Sequence, residues 1–299
     1  MMPSSLSVQT PKPSLYEFES IGTHWWCEML DGSRFPESLS AEIWERADTF
    51  DHLYSRFRDD SLVAELFRTG RIDHPPAEMI AMLDFAREIH EASEGMLNLS
   101  VGGSLHAKGY GERKYSGRVL PDLWDHLSYD SQAVTLPPGI MLDFGGFGKG
   151  WLIDAIVEIC RQHGAKNFIV NGGGDLYVDA DTPIDIYLEH PTSPTHAMGQ
   201  TKITRGALAA SSVYKRVWRE AEKKHHHIID LTTGQSSNDG AAATYVKADS
   251  ALIADTMATI LIIRPDLEPR LKKQYGLETI VLNKDQIVDN IDDVTVTTE

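Results

Sequence analysis

The segment Met141–Asp175, MLDFGGFGKGWLIDAIVEICRQHGAKNFIVNGGGD, holds two glycine-rich turns with an apolar segment of helical period between them. It contains eight of the 23 glycines of the chain, and each cluster directly follows an apolar run. Because glycine tolerates positive φ and has no side chain, such turns let main-chain N–H groups approach a ligand closely. The order of strand, glycine turn, helix and glycine turn predicts one wall of a nucleotide site, around which the rest of the chain folds.

The composition describes an ordinary globular protein with a strongly acidic balance. Its 299 residues suffice for one large core or two intimate halves, and 41% are apolar and 24% charged. The formal net charge of −16 argues against nucleic acid or an anionic membrane as a partner, because both need a positive surface. An anionic ligand would therefore need backbone amides, a lysine or a metal ion at its site to compensate its negative charge.

The two ends of the chain differ in composition from the middle. We expect residues 1–15, which are rich in Ser and Pro, to be disordered, residues 16–285 to form one domain, and residues 286–299 to form an acidic tail. The N-terminus lacks the pattern of a signal peptide, and no apolar run approaches the length of a membrane span. These features predict a cytoplasmic protein without a membrane anchor. Cys27 and Cys160 are expected to be buried, reduced thiols.

Helical periodicity and capping residues predict five main helices. Their starts or caps are Ser40, Ser61, Pro75-Pro76, the first glycine turn, and Asp249 or Ser250.

The predicted strands are less regular than the helices. Residues 16–30 predict a strand interrupted at Gly22, where the backbone either bulges or approaches a ligand. Residues 133–136 and 139–144 predict a hairpin through Pro137-Pro138, and Ser211-Ser212 predicts a turn.

The first glycine turn fits neither of two common nucleotide motifs. A P-loop requires Gly-x4-Gly-Lys-Ser/Thr, but Asp143 stands at its first glycine and Gly150 at its hydroxyl position. A dinucleotide fingerprint requires Gly-x-Gly-x-x-Gly, but Trp151 follows where the third glycine belongs. Asp175 could still supply the acidic residue of that fingerprint, so a nicotinamide-dependent oxidoreductase remains a remote alternative.

Three adjacent histidines, His225-His226-His227, lie before the segment Ile228-Ile229-Asp230. They are compatible with a solvated cluster, with metal ligands, or with one general base, whose ordinary pKa near neutrality suits that role. Adjacent residues of an extended segment point to opposite faces, which disfavours one shared metal. Among the three, His227 is the favoured general base because it abuts the apolar segment.

Asp255 and Thr259 lie four residues apart on one face of the last strong helix. A buried carboxylate is costly unless it is paired or bound to a metal. Oxygen ligands from Asp, Thr and backbone carbonyls suit Mg²⁺, which keeps substrate phosphates in its coordination shell. The alternative is an Asp on the helix surface, with a Thr hydroxyl bonded to its own helix.

Seven segments in collinear order, between Tyr16 and Val281, resemble the FAD:protein FMN transferase family, also called the ApbE or flavin transferase family. The segments are Ile21-Gly22-Thr23, Ser55-Arg56-Phe57-x-x-x-Ser61, Leu99–Leu105, Asp143–Asp154, Asn171–Asp175, His227-Ile228-Ile229-Asp230-x-x-x-Gly234 and Ala254-Asp255-x-x-x-Thr259. The chain departs from the usual family residues at Phe57 and Trp151 (usually Tyr), Leu231 (usually Pro) and Ser212 (usually Gly). Most members are exported lipoproteins, whereas this sequence shows no lipobox cysteine.

The resemblance implies an α+β fold of two interlocked α/β halves with mainly antiparallel sheets, related to the T-fold, and with the ligand site between them. It implies Mg²⁺ bound by Asp255, Thr259 and main-chain oxygens near Gly148 and Ala258. FAD would contact Gly22, Phe57, Gly103, Lys149, Asp154, Gly174, Asp175, Ser211, His227 and Ile229.

The implied reaction moves FMN from FAD to a Thr or Ser hydroxyl of a target flavoprotein and releases AMP. His227 and Asp255 would be the catalytic residues, with His227 accepting the proton of the hydroxyl. Two alternatives remain within this family: a Mg²⁺-dependent FAD pyrophosphatase that produces FMN and AMP, and a non-catalytic FAD-binding protein.

Overall fold

The computed structural model describes residues 12–107, 117, 119–214, 217–220, 223–226 and 240–287. The described chain forms twelve strands and eight α-helices. The strands are β1 Leu15–Ser20, β2 Thr23–Met29, β3 Arg71–Asp73, β4 Ser128–Tyr129, β5 Ala133–Thr135, β6 Phe168–Gly172, β7 Asp175–His190, β8 Ser193–Ser212, β9 Val217–Glu220, β10 Lys223–His226, β11 Ala243–Ala248 and β12 Glu278–Leu282. The helices are α1 Glu37–Tyr54, α2 Leu62–Thr69, α3 Ala77–Ala92, α4 Gly102–Ala107, α5 Leu123–His126, α6 Gly148–Gln162, α7 Ala251–Ile263 and α8 Glu268–Tyr275.

A seven-stranded sheet in the order β1-β2-β6-β7-β8-β11-β12 forms the centre of the fold. A three-stranded sheet, β3-β5-β4, and a two-stranded sheet, β9-β10, accompany it. Every strand pair in the described chain is antiparallel. The predicted α+β class with mainly antiparallel sheets is confirmed. The dinucleotide-binding alternative is wrong, because that fold requires parallel strands on both sides of the glycine turn.

Two helices cover the central sheet and place both glycine turns beside it. Helix α6 follows the first turn and contacts β6 and β7, while α7 contacts β8 and β11. The two helices also contact each other, and a Cβ at Gly150 would overlap the Ala251 carbonyl oxygen. This close crossing requires glycine at position 150 and sets the start of α6 against the first turns of α7.

The segment predicted as one interrupted strand is a β-hairpin. Strands β1 and β2 pair up to Ser20 and Thr23, so that Ile21 and Gly22 form the two-residue turn. Both turn residues have positive φ, 43° and 72°, as a type I′ hairpin turn requires. Gly22 is therefore a turn residue, and not a bulge within a continuous strand.

The predicted helix starts agree well with the structure, apart from one early start. Ser61 caps α2 by accepting the Ala64 N–H at 3.2 Å, and Ser250 caps α7 by accepting the Ile253 N–H at 3.2 Å. Helix α1 begins at Glu37, before the predicted start at Ser40, with Pro36 at its N-cap.

Two of the other predictions are wrong. Residues 139–144, all of which the structure describes, form no strand, and β5 pairs with β3 and β4 instead. Ser211 and Ser212 do not form a turn, since they belong to β8 and pair with Thr244 and Ala243 of β11. Strand β1 begins at Leu15, next to the expected domain boundary at residue 16.

Most of the core lies between the central sheet and the helices. Cys27 of β2 and Cys160 of α6 belong to this main core, where both thiols are buried and free. A smaller apolar cluster includes Val178, Leu188 and Tyr245. Within the described residues, no helix has the length and apolar character needed to cross a membrane.

Candidate active site

A cavity of about 630 Å³ lies where the β1–β2 turn, the two glycine turns and the start of α6 meet. This volume falls within the roughly 300–1,000 Å³ typical of small-molecule sites. Its described lining comes from residues 21–22, 50–51, 54–58, 96–98, 101, 105, 143–146, 148–149, 173, 175, 210–212, 259 and 263. The cavity therefore brings together segments from nearly the whole described chain.

Lys149, in the first turn of α6, forms the charged centre of one wall. Its ammonium donates to Asp255 Oδ1 at 2.6 Å and lies 2.7 Å from Asp175 Oδ2. Asp175 begins β7, and its Oδ1 accepts the Ala210 N–H at 3.1 Å. One cation thus joins two carboxylates that are 80 positions apart in the sequence.

Asp255 is 2% exposed, which rules out the alternative of an Asp on the helix surface. Its Oδ2 accepts the Gly150 N–H at 3.0 Å, so that a side chain of α7 caps the start of α6. Burial raises the pKa of Asp255 to about 6; Asp175 also raises it, while Lys149 and the Gly150 N–H oppose the rise. Of the two alternatives for Asp255, a buried carboxylate or one on the helix surface, the structure shows the buried one.

Asp154 caps the neighbouring helix in return. Its Oδ1 accepts the Ala251 N–H at 2.8 Å, and its Oδ2 accepts the Leu252 N–H at 2.9 Å. Burial raises the pKa of Asp154, although these two N–H groups oppose the rise. Helices α6 and α7 are thus capped reciprocally, each by an aspartate of the other, which fixes Lys149 relative to Asp255.

The second glycine turn also borders the cavity. Asn171 Oδ1 accepts the Gly174 N–H at 3.2 Å, and the Gly173 N–H donates to the His24 carbonyl at 2.9 Å. These bonds hold the turn against the β1–β2 hairpin. Gly173 and Asp175 line the cavity, whereas Gly174 does not.

An aromatic side chain faces the cavity from the segment between α1 and α2. Phe57 is 45% exposed, which is unusual for a large apolar residue. Its ring centroid lies 4.1 Å from Arg56 Cζ and 5.7 Å from the ring of His106. Such a ring offers a surface on which a planar ligand can stack.

The predicted ligand contacts divide into three groups by their place in the structure. The cavity lining includes Gly22, Phe57, Gly148, Lys149, Asp175, Ser211 and Thr259. Gly103, Asp154, Gly174, Asp255 and Ala258 are not part of the lining. His227 and Ile229 lie outside the described residues.

The residues behind the lining have contacts of their own. A Cβ at Gly103 would meet the backbone of Gly117, so that these two glycines pack closely. The Ala258 carbonyl accepts the Thr244 hydroxyl at 2.9 Å. Among the described residues, no group of three or more His, Cys, Asp and Glu side chains has the arrangement of a metal site.

The sequence did not single out Arg56 and Asp143 as site residues. Both line the cavity, and Arg56 Nε lies 2.8 Å from Asp143 Oδ2. Each residue belongs to a segment that matched the family motifs, but the sequence alone does not reveal which charged side chains of two distant segments form a pair.

Comparisons with known proteins agree with the architecture. Among solved structures, the ApbE protein of Thermotoga maritima has a TM-score of 0.78 at 18% identity, covering 93% of this chain and 97% of that chain. The flavin transferase ApbE of Vibrio cholerae has a TM-score of 0.73 at 20% identity, covering 91% and 94%. At these identities, the likeness shows the fold alone, and it confirms the predicted ApbE-like fold.

Sequence relatives point to the same family. A protein of Vibrio cholerae named FAD:protein FMN transferase is 24% identical over 248 residues, covering 76% of this chain and 73% of that protein. A protein of the same name from Chlamydia trachomatis is 26% identical over 261 residues, covering 76% and 78%. The model of the ApbE family matches residues 21–280. By this match over most of its length, the chain belongs to the ApbE family.

Proposed function

We propose that the protein transfers FMN from FAD to a Thr or Ser hydroxyl of a target flavoprotein and releases AMP. The observation that carries the proposal is the cavity, which combines an exposed aromatic ring with a lysine at a helix start. Phe57 suits the isoalloxazine ring, and Lys149 with the first glycine turn suits the diphosphate. The names of the relatives support the same reaction.

The proposed FAD contacts follow the walls of the cavity. Gly22 and Ser211 line the cavity beside Lys149 and Asp175, and Phe57 supplies its exposed ring. Gly103, Asp154, Gly174, His227 and Ile229 complete the proposed contact set. Gly103, Asp154 and Gly174 are not part of the lining. They would either contact FAD after a small rearrangement or act on FAD through neighbouring residues.

The transfer is a displacement at the phosphorus of the FMN half. The acceptor oxygen forms a bond to this phosphorus, the bond from phosphorus to the bridging oxygen breaks, and AMP leaves with the electron pair. We propose that His227 accepts the hydroxyl proton. Lys149 and the N–H groups of the glycine turn hold the diphosphate.

The charges around the cavity favour a divalent cation as a partner of the diphosphate. Three basic and three acidic side chains are found among the described lining residues, and Asp255 adds one negative charge behind them. A diphosphate therefore meets no net positive charge from these side chains. The oxygen donors also fit Mg²⁺: Asp255 and Asp175 already share one cation, the Lys149 ammonium.

We propose that Asp255, Thr259 and main-chain oxygens near Gly148 and Ala258 hold Mg²⁺. The Ala258 carbonyl already accepts the Thr244 hydroxyl, so it has less capacity for a metal than the two side chains. When bound, the ion would neutralise charge that develops on the phosphate oxygens. Asp255 would serve catalysis by holding this ion.

The test is incubation of the protein with FAD, Mg²⁺ and a purified candidate flavoprotein acceptor. The expected result is flavin fluorescence that stays on the acceptor in a denaturing gel, together with free AMP. EDTA should abolish both, and an acceptor whose Thr or Ser is replaced by Ala should remain unlabelled. Release of FMN and AMP without labelling would identify a pyrophosphatase, and unchanged FAD would identify a binding protein; either result would overturn the proposal.

His227→Ala provides a sharper test of the proposed base. We expect this variant to bind FAD with nearly unchanged affinity and to lose transfer by at least about 100-fold, the lower range for general base catalysis. His126→Ala is the matched control, because His126 lies on α5, outside the cavity lining, and pairs with Asp122. Transfer at the wild-type rate in His227→Ala would refute the assignment.

A further inference from the structure

Arg56 is a buried cation held between an aspartate and an aromatic ring. Its side chain is 3% exposed, its Nε lies 2.8 Å from Asp143 Oδ2, and its Cζ lies 4.1 Å from the centroid of Phe57. Asp143 and Phe57 are both more exposed than Arg56, and Phe57 is 45% exposed. The guanidinium therefore supports, from inside the protein, a ring that the cavity leaves open.

The same ion pair is connected to the first glycine turn. While Asp143 Oδ2 faces Arg56, Asp143 Oδ1 accepts the Gly145 N–H at 2.6 Å. Gly145 belongs to the first glycine turn, which leads directly into α6 and Lys149. Arg56 thus connects the aromatic surface to the turn proposed for the diphosphate.

The chemistry of this contact is specific to arginine. A guanidinium is planar, so that it can lie over an aromatic ring and pair with a carboxylate at the same time. A lysine ammonium is a compact, strongly hydrated charge, and it can retain the ion pair without offering a flat surface to the ring. Replacing Arg56 with Lys therefore removes the support of the ring while it keeps a positive charge beside Asp143.

We propose that Arg56 is a positioning residue, which fixes Phe57 as the stacking surface for the flavin ring and aligns it with the first glycine turn. This inference rests on the proposed function, because it takes FAD as the ligand. Arg56 acts through Phe57 and needs no contact with FAD. Its effect should depend on the flavin ring and be absent for a ligand that has only the adenine nucleotide part.

The test compares the binding of FAD and ADP to the wild type, Arg56→Lys, Phe57→Leu and the double variant. Quenching of flavin fluorescence measures the dissociation constant of FAD, and calorimetry measures that of ADP. We expect Arg56→Lys to weaken FAD binding about tenfold, which is about 1.4 kcal/mol, and to leave ADP binding within twofold. The double variant should bind FAD no more weakly than Phe57→Leu, because the two residues act as one unit.

Arg161→Lys is the matched control. Arg161 also pairs with an aspartate, Asp179 at 2.8 Å, and lies 5.4 Å from the ring of Tyr177, but neither Arg161 nor Tyr177 lines the cavity. The variant Arg161→Lys should leave the dissociation constants of FAD and ADP unchanged.

Equal losses for FAD and ADP in Arg56→Lys, or additive losses in the double variant, would overturn the inference. If Arg56→Lys does not fold, the same comparison can be made with Phe57→Leu, Asp143→Asn and their double variant. The losses of FAD affinity in the two single variants should then add up to more than the loss in the double variant. Full additivity would overturn the inference. Binding of FAD without covalent transfer would count against the proposed function alone.

Discussion

Gly22 and Gly164 have almost the same backbone conformation at two unrelated places. Their φ values are 72° and 73°, and no described atom lies within 4 Å of a Cβ built at either position. Gly22 lies at the β1–β2 turn and lines the cavity, whereas Gly164 follows α6 outside the lining. Substitutions at the two positions can therefore separate an effect on backbone conformation from an effect on ligand binding.

We expect Gly22→Ala and Gly164→Ala each to lower the free energy of unfolding by about 1 kcal/mol, the usual cost of a Cβ in the left-handed region. Only Gly22→Ala should also weaken FAD binding, since a distorted turn displaces one wall of the cavity. Urea unfolding and titration with FAD measure the two effects. A loss of FAD affinity in Gly164→Ala equal to that in Gly22→Ala would contradict this expectation.

At the scale of single residues, the sequence indicated which side chains carry chemistry better than it indicated which side chains pair with each other. The apolar neighbours of Asp255 raised the possibility of a buried carboxylate beside the alternative of a surface position, and the structure buries it. Its pairing with Lys149 could not be derived, because the two residues are 106 positions apart and no local spacing relates them. The ion pair between Arg56 and Asp143 could not be predicted for the same reason.

At the scale of elements, the reciprocal caps of α6 and α7 carry a measurable share of stability. Asp154 accepts two N–H groups at the start of α7, and Ser250 accepts one. Asp154→Ala should therefore cost about 2 kcal/mol and Ser250→Ala about 1 kcal/mol. Asp154→Asn should lie between the wild type and Asp154→Ala, because its amide oxygen can still accept one N–H.

Urea unfolding of the three variants measures these costs. Equal stability of Asp154→Ala and the wild type would show that the two caps contribute nothing. The FAD affinity of Asp154→Asn bears on the proposed contact of Asp154 with FAD. An unchanged affinity would assign Asp154 to helix capping alone.

Helices were predicted more accurately than strands because their end signals are local. Ser61 and Ser250 cap their helices through N–H groups three residues ahead, which the sequence displays directly. The small residues before Ser211 resembled a turn, but Ala207 and Ala209 are buried in β8, which α7 contacts. Small side chains there serve close packing, which a composition-based prediction cannot distinguish from a turn.

At the scale of the whole molecule, two cysteines link stability to alkaline pH. Cys27 of the sheet and Cys160 of the covering helix lie in one core. Burial raises the pKa of Cys160 to about 12, and burial and the proximity of Cys160 raise the pKa of Cys27 well above its ordinary value. The folded protein thus holds these two protons more tightly than the unfolded chain does.

The sign of the pH effect follows from this difference. The stabilising contribution of both thiols is complete below pH 8 and decreases above about pH 9, where the unfolded chain releases its thiol protons. We expect the free energy of unfolding to fall by about 2–4 kcal/mol between pH 8 and pH 10. The variant Cys27→Ala/Cys160→Ala should be less stable at pH 8 but show a smaller fall.

Urea unfolding at both pH values compares the two proteins. Burial also raises the pKa values of Tyr54 and Tyr245, but these residues are common to both proteins, so the difference isolates the thiols. Parallel curves for the wild type and the variant would contradict the prediction.

The overall architecture followed from the family resemblance and not from periodicity. Local patterns give strands and helices, but the strand order β1-β2-β6-β7-β8-β11-β12 depends on pairings between distant segments. The strand pattern of residues 16–30 did not reveal that β2 would pair with β6, where Trp25 faces Gly172. Seven collinear motifs supplied this missing long-range information.

The ion pair between Lys149 and Asp255 also has a consequence for biosynthesis. Because 106 residues separate its partners, a nascent chain leaves the ribosome with one wall of the cavity long before the helix that completes it. Contacts of such long range form late in folding. A partly translated chain would thus lack a finished site, and capture of the flavin nucleotide would begin only after α7 has been made.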